Sequence, residues 1–341
     1  MESVNLKRLA KELNLAMSTV SRALRDSHEI SNKTKDRVKA LAKELGFQPN
    51  PHASSLRKHK SNTIAVIIPE IENNFFSQVM NGVEAVAGQK RYHVLIYLTH
   101  EDYRKEKDYL QSLTNGRVDG LMISVSNTTN DFEHIKACQD AAIPMILFDR
   151  ICNAVDVPIV TTDDCEVSFK ATEHLIKEGC KKIAHLSMAS QLSITSGRKL
   201  GYLKAIEKYK TGFEIVLECS PDDTQNRKII RKLFEEHRPD AIFAAVEKFA
   251  INTYQVCEEL RISIPEELKV VSFSNLAAAA FFDPPLSTIV QPAYAMGKRS
   301  AEILFKIIEH KSLFATEKKI VLPSQFIQRR STIQQTYISR I

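Results

Sequence analysis

The chain's most chemically informative residues are short polar side chains and one arginine on a helical face near its start, in NLKRLAKELNLAMSTVSRAL (5–24). Leu6, Leu9, Ala10 and Leu13 recur at i, i+3, i+4 and i+7, which predicts a helix with one apolar face. Val20, Ala23 and Leu24 mark a second, shorter helix, and Asn14 stands between the two, where a sharp turn needs a residue that tolerates a left-handed backbone. Ala10 is small enough for the second helix to cross closely over the first. Met17, Ser18, Ser21 and Arg22 are then left to point outward. Short polar side chains beside an arginine suit a helix lying in a DNA major groove, where a guanidinium can grip guanine O6 and N7 together. An ordinary amphipathic helical hairpin satisfies the same spacing.

Charge favours the first reading. Residues 1–60 hold 13 of the 47 Lys and Arg but only 6 of the 41 Asp and Glu, and the remainder of the chain is nearly neutral. The positive excess therefore sits on the helix-turn-helix segment, as contacts to phosphate require. Other chemistry is poorly represented. The 10 glycines form no GxG, and HExxH, GxSxG and the phosphate-loop pattern do not occur. Asp163-Asp164 and Asp222-Asp223 read as turn or helix-start residues, because Asp favours both. The 6 cysteines are scattered, with no CxxC, and read as reduced, mostly buried thiols. No enzymatic activity, cofactor or metal is expected. A charged N-terminus without a signal-peptide core and the absence of a membrane-length apolar run point to a cytoplasmic protein with no membrane partner.

These side chains need elements to position them, and 341 residues are enough for two or three domains. A third helix is predicted from the N-cap Ser31 through Val38, Leu41, Ala42 and Leu45, closed by Gly46, with Phe47 folding back. Residues 1–46 thus form a headpiece. Residues 47–61 follow as a boundary in which Asn50 and Pro51 could start a short helix or open an ordinary linker. Beyond Thr63 the pattern changes to short buried strands, IAVIIP (64–69), VLIYL (94–98), GLMIS (120–124) and PMILFD (144–149), with helical stretches between them. IAHLS (183–187), EIVLE (214–218), AIFAAV (241–246) and KVVSFS (269–274) repeat the series. Strands of this kind belong to parallel sheets covered on both faces. Two runs of four imply an α/β core, 62–332, of two doubly wound parallel-sheet lobes. A ligand in such a core sits at the carboxyl ends of the strands, in the cleft between lobes. Lobe one is expected at about 62–161 plus 291–320, lobe two at about 162–290 plus 321–332, and 333–341 as a short tail without leucine heptads.

With headpiece, boundary and two lobes in this order, the chain closely resembles the lactose-repressor/galactose-repressor (LacI/GalR) family of bacterial transcription regulators. The resemblance spans residues 4–332. It rests on STVSRAL (18–24), ISNKTKDRV (30–38), LGFQPNPHASSLR (45–57), RVDGLMIS (117–124), FDR (148–150), ATEHLIKEG (171–179), RKLGY (198–202), RPDAIFA (238–244) and DPPLSTIVQPAYAMG (283–297). It implies a helix-turn-helix headpiece on a periplasmic-binding-protein-like core. Met17, Ser18 and Arg22 would stand at base edges, and Thr19, Ser21, Ser31 and Thr34 at phosphates. Asn50, Ala53 and Leu56 fall on the family's hinge helix, whose apolar side chains enter the minor groove. A homodimer on a near-palindromic operator, controlled by a sugar-like effector, is the implied function. Phe75, Phe76, Asp149 and Arg198 match effector positions.

Three departures matter. The family's Asn-Asp after the strand at 241–245 is Val246-Glu247 here, and its Phe-Asp-Asp is Phe273-Ser274-Asn275. That places Glu247, Phe273 and Asn275 in the expected cleft, and the lost carboxylate at Ser274 beside a retained Arg198 tilts the expected ligand towards an anionic or strongly accepting group. Asp149 and Arg198 could instead pair with each other. Ala16 replaces the serine that caps the recognition helix in the family, at a cost of about 1 kcal/mol. A solute-binding protein of the same core fold is the alternative, and it leaves residues 1–60 unexplained.

Overall fold

Three helices, α1 (Leu6–Leu13), α2 (Met17–Leu24) and α3 (Asn32–Glu44), form among the described residues of the first of two units, which divide after Ser61. The computed structural model describes residues 5–47, 60–72, 74–188 and 192–333. The expected hinge residues Asn50, Ala53 and Leu56 and most of the tail lie outside the described residues. Helix α1 opens on Asn5, whose side chain accepts the Arg8 backbone N–H at 3.0 Å. It ends at Asn14, which takes the left-handed conformation its position calls for, φ 50° and ψ 47°. Helix α2 follows from Ala16, which sits at the cap with no side-chain bond to the helix. Ser31 caps α3 by accepting the Thr34 N–H at 3.3 Å, and Gly46 ends it at φ +63°. Leu9, Val20, Ala23 and Val38 are fully buried between the helices, and Phe47 folds back against them. Each such burial contributes about 1–3 kcal/mol, which three short helices need, being too short to persist alone.

The second unit contains two six-stranded sheets. The first is built from β1 (Thr63–Ile68), β2 (His93–Leu98), β3 (Gly120–Ile123), β4 (Met145–Phe148), β5 (Ile159–Thr162) and β11 (Lys319–Leu322), in the order β11-β5-β4-β3-β1-β2 and parallel throughout. The second comprises β6 (Ile183–Met188), β7 (Ile215–Cys219), β8 (Ala241–Ala244), β9 (Lys269–Phe273), β10 (Ser287–Val290) and β12 (Gln325–Ile327), ordered β12-β10-β9-β8-β6-β7, with only β12 antiparallel. Eight strands were expected and all eight form. The four additional ones, β5, β10, β11 and β12, carry the chain between lobes. Their sequences mix polar with apolar residues (IVTT, STIV, KIVL, QFI), so a search for continuous apolar runs passes over them. Strand β11 extends to Leu322 in the first sheet, so Val321 and Leu322 belong to lobe one rather than lobe two. Strand β2 is also less buried than expected, with Leu95 and Ile96 each 42% exposed, because it is a sheet edge.

Helices cover both faces of each sheet, with one apolar cluster per face. Around the first sheet run α4 (Asn74–Lys90), α5 (Tyr103–Leu113), α6 (Glu133–Asp140) and α11 (Ala293–Ile308), with the short α12 (Ala315–Lys318) leading into β11. Around the second run α7 (Asp164–Lys177), α8 (Ser193–Tyr209), α9 (Asp223–Glu236) and α10 (Glu247–Leu260). Two helix pairs approach unusually closely. A Cβ on Gly297 of α11 would lie 2.0 Å from the Val79 carbonyl oxygen of α4, and one on Gly201 of α8 would lie 2.2 Å from the Cys165 carbonyl oxygen of α7. Five of the six cysteines are buried and none is bridged. No helix among the described residues is long and apolar enough to cross a membrane.

Candidate functional site

The parallel strands of both lobes end at a shared cleft. Its walls come from the loops after β4, β8 and β9 and from the first turns of α4, α8 and α10. All seven residues expected there line it: Phe75 and Phe76 from α4, Asp149 after β4, Arg198 from α8, Glu247 at the start of α10, and Phe273 and Asn275 at the end of β9. The cleft is partly open to solvent and its free space is about 50 Å³, room for a few waters and less than a sugar needs. A sugar-sized molecule therefore enters only if the lobes part, as two-lobed binding cores do by hinge motion.

Arg198 is the most constrained of these side chains. Its Nε donates to Asp164 Oδ1 at 2.8 Å and its Nη1 to the Ala245 carbonyl at 2.7 Å, while the guanidinium lies 3.7 Å from the Phe273 ring centre. The close approach of α7 and α8 makes this possible, since Gly197 and Gly201 bracket Arg198 and admit the α7 backbone that carries Asp164. The alternative in which Arg198 pairs with Asp149 is not what forms. Asp149 is 4% exposed, adopts a left-handed backbone at φ 57°, and has Arg150 Nε as its nearest cation, at 3.8 Å. Burial pushes its carboxyl up to about 6, against the opposing pull of Arg150 and Arg198.

The remaining groups divide between bracing the cleft and facing it. Glu247 accepts the Ser274 hydroxyl at 2.7 Å, so the serine that replaces a carboxylate is held by the carboxylate that replaces Asn-Asp chemistry. Asn275 is mostly engaged internally: its amide donates to the Gln291 carbonyl at 2.8 Å and its oxygen accepts the Gln291 N–H at 3.1 Å. Phe75 and Phe76 meet edge to face, ring centres 5.1 Å apart, and are largely core. Hydrogen bonds tie the lobes near the cleft, among them the Ile151 N–H to Ser193 Oγ at 3.1 Å, Gln291 Nε2 to Thr162 Oγ1 at 3.2 Å and Asn275 Nδ2 to Gln78 Oε1 at 3.5 Å.

Sequence reasoning missed several participants. Arg150 lines the cleft, bonded to Glu101 Oε1 at 2.7 Å and 5.7 Å from the Phe76 ring centre; it was visible inside FDR (148–150) but given no role. Asp164 was read only as a helix-start residue. It does begin α7, and it also holds Arg198; its lateral partner, 34 residues away, has no local signal. Asp222 behaves as expected, capping α9 by accepting the Gln225 N–H at 2.8 Å. A larger space of about 510 Å³ lies at the opposite end of the first sheet, beside the amino ends of β4 and β5. Its walls are mainly aliphatic, whereas the cleft gathers four charged side chains on strand and helix ends, which is the arrangement that orients a polar ligand.

In the first unit, α2 presents Met17, 52% exposed, with Ser18 and Arg22 on its open face, and Thr19 and Ser21 half-buried beside them. Arg22 is not free: its Nη1 lies 2.7 Å from Glu29 Oε2, both side chains being exposed. Ser31 and Thr34 face each other at the start of α3, hydroxyls 2.9 Å apart.

A family model described as "Bacterial regulatory proteins, lacI family" matches residues 5–50, and one described as "Periplasmic binding proteins and sugar binding domain of LacI family" matches residues 61–330. The chain is 31% identical to the ribose operon repressor of Halalkalibacterium halodurans, over 96% of each. The structure of the lac repressor dimer bound to operator and the anti-inducer ONPF superimposes with a TM-score of 0.85 at 21% identity, covering 98% of this chain and 100% of that one. A LacI family transcriptional regulator from Enterococcus faecium with bound ribose gives 0.70 at 26% identity, covering 79% of this chain and 98% of that one.

Proposed function

Because this chain belongs to the lacI family of bacterial regulatory proteins, we propose that it is a sequence-specific DNA-binding transcriptional repressor whose operator affinity is set by a small, carbohydrate-related effector held between its lobes. The observation that carries this reading is the combination, in one chain, of a helix-turn-helix with an open polar face on α2 and a two-lobed core with charged groups converging on its cleft. Met17, Ser18 and Arg22 read base edges, and Thr19, Ser21, Ser31 and Thr34 hold phosphates. Asn50, Ala53 and Leu56, outside the described residues, fill the family's hinge role. Phe75, Phe76, Asp149, Arg198, Glu247, Phe273 and Asn275 form the effector site, to which Arg150 is added.

The domains divide as a headpiece 1–46, a hinge 47–61 and a core from 62 onward. The working unit is a homodimer, matching a two-fold operator; the exposed Leu95 and Ile96 of edge strand β2, and Phe281 at 88% exposure, support a surface that a second copy covers. Effector and operator act through a two-state equilibrium, each favouring one lobe arrangement, so each alters the affinity of the other by the same factor. The ligand is bound without turnover, in the cytoplasm, where operator DNA is.

Selection of the full-length protein on random duplex DNA tests the reading. A near-palindromic site whose retention changes when a bacterial metabolite extract is added is the expected result. Small-molecule binding without any sequence-selective retention of DNA would instead support a solute-binding protein of the same core fold.

A further inference from the structure

We propose that the cleft accepts a hydroxyl-bearing ligand that is uncharged or carries an amine, and refuses phosphate esters and carboxylates; this rests on the effector reading above. The charges that face or directly back the cavity decide it. Two cations are present, Arg150 and Arg198, and each already has a carboxylate partner, Glu101 at 2.7 Å and Asp164 at 2.8 Å. Two further carboxylates line the cavity without a close cation of their own. Glu247 is bonded to the Ser274 hydroxyl, and Asp149 lies no nearer than 3.8 Å to a guanidinium that Glu101 holds. The surroundings thus carry two negative charges in excess. The partial positive ends of α7 and α10 are met by Asp164 and Glu247, the first residues of those helices. The ends of α4 and α8, which have no acidic residue in their first turns, offset about one of the two charges, so the cleft stays negative.

The sequence alone tilts the expected ligand towards an anionic or strongly accepting group, because Arg198 is retained and a carboxylate is lost at Ser274. The structure removes the anionic half of that preference and keeps the accepting half: Asp164 neutralises Arg198, and Glu247, at the start of α10, places a carboxylate against the Ser274 hydroxyl. The two arginines keep spare N–H donors for ligand oxygens, while Asp149, buried and with Arg150 Nε at 3.8 Å as its nearest cation among the described residues, can accept a hydrogen bond from a ligand hydroxyl or ammonium. An incoming phosphate would meet two carboxylates and no unpaired cation.

The experiment uses full-length protein incubated with a bacterial metabolite extract, washed, and examined by mass spectrometry for retained compounds. Cleft dependence is read from loss of retention in Ser274→Phe, which fills the cavity, after its thermal unfolding shows it folded; Glu247→Trp serves in its place if it is not. The retained compound is then compared by calorimetry with its own phosphate ester. The expected outcome is a neutral or amine-bearing compound whose ester binds at least about 100-fold more weakly, since like-charge contact costs several kcal/mol, with Glu247→Gln narrowing that gap about tenfold. A retained compound bearing phosphate or carboxylate, or an ester binding within about threefold of the parent, overturns the proposal. Retention of no cleft-dependent compound from any charge class overturns the effector reading itself.

Discussion

Arg22 is exposed on α2 and already engaged, 2.7 Å from Glu29. An exposed pair of this kind contributes about 0–1 kcal/mol, while a bidentate contact to guanine contributes about 1–3 kcal/mol of discrimination, so the base wins when DNA is present. Arg22→Ala is expected to cost about 1–3 kcal/mol on the cognate operator and to relax preference at one base pair per half-site. Glu29→Gln should tighten binding slightly by releasing Arg22 and removing a charge that repels phosphate. Fluorescence anisotropy on cognate and scrambled duplexes separates the possibilities: equal weakening of both by Arg22→Ala would reduce Arg22 to a phosphate contact. Asp149 gives the opposite kind of prediction, about the folded core. Its carboxyl is raised by burial to about 6, above its unfolded value near 3.9, so between those values the native state holds the extra proton. Stability therefore falls as pH rises through that window, and at neutral pH the ionised carboxylate costs on the order of 3 kcal/mol. Asn tolerates the left-handed backbone found at this position. Asp149→Asn should accordingly raise the melting temperature of the core at pH 7.5, with the advantage shrinking as pH falls through about 6 and vanishing below about pH 3.5, while weakening effector binding. An advantage that is independent of pH would mean that the charge of Asp149 is not what burial penalises.

Among the elements, those with a strong local signal were legible from the chain. The turn at Asn14 and the stop at Gly46 are each dictated by one residue's backbone preference, the cap at Ser31 by its side-chain acceptor, and the eight expected strands by their apolar runs, which are continuously buried in the sheet interiors and only partly so at the edge strands β2 and β7. What the chain hid were pairings decided by tertiary approach. Strands β5, β10, β11 and β12 are half polar because they sit at the lobe crossover. Asp164 joins Arg198 only because Gly197 and Gly201 let α7 and α8 approach closely. The cleft's membership could be read by position within the resemblance, but its charge balance could not, since Glu101, Asp164 and Glu247 reach it from three separate elements. The start of α2 shows what a local departure does. Ala16 occupies the cap with an extended backbone, φ −66° and ψ 144°; its carbonyl accepts the Val20 N–H at 3.1 Å, but it offers no side-chain acceptor to the first turn. Ala16→Ser should add about 0.5–2 kcal/mol to the headpiece and slow amide exchange at residues 17–20. Exchange that stays the same or quickens would show that the first turn is already satisfied by other means.

At the scale of the whole chain, the division after Ser61 separates a headpiece with its own apolar core from a core unit with four apolar clusters. A small three-helix body buries a much smaller share of its surface than one of more than 250 residues, so its stability is set independently and lower. Calorimetric unfolding of the full chain without DNA should therefore show two transitions. A ligand binding the cleft should raise only the second, by about 2.7 kcal/mol when present at 100 times its dissociation constant, which for a unit of this size is on the order of 5–10 °C. Duplex operator at low salt should raise the first, because it binds the folded headpiece and not the unfolded one. The Ala16→Ser and Asp149→Asn variants then provide internal markers, the former moving only the first transition and the latter only the second. A single transition shifted equally by both variants would mean that the headpiece and core unfold as one cooperative unit. The coupling between effector and operator would then have to run through shared stability rather than through a change in lobe arrangement.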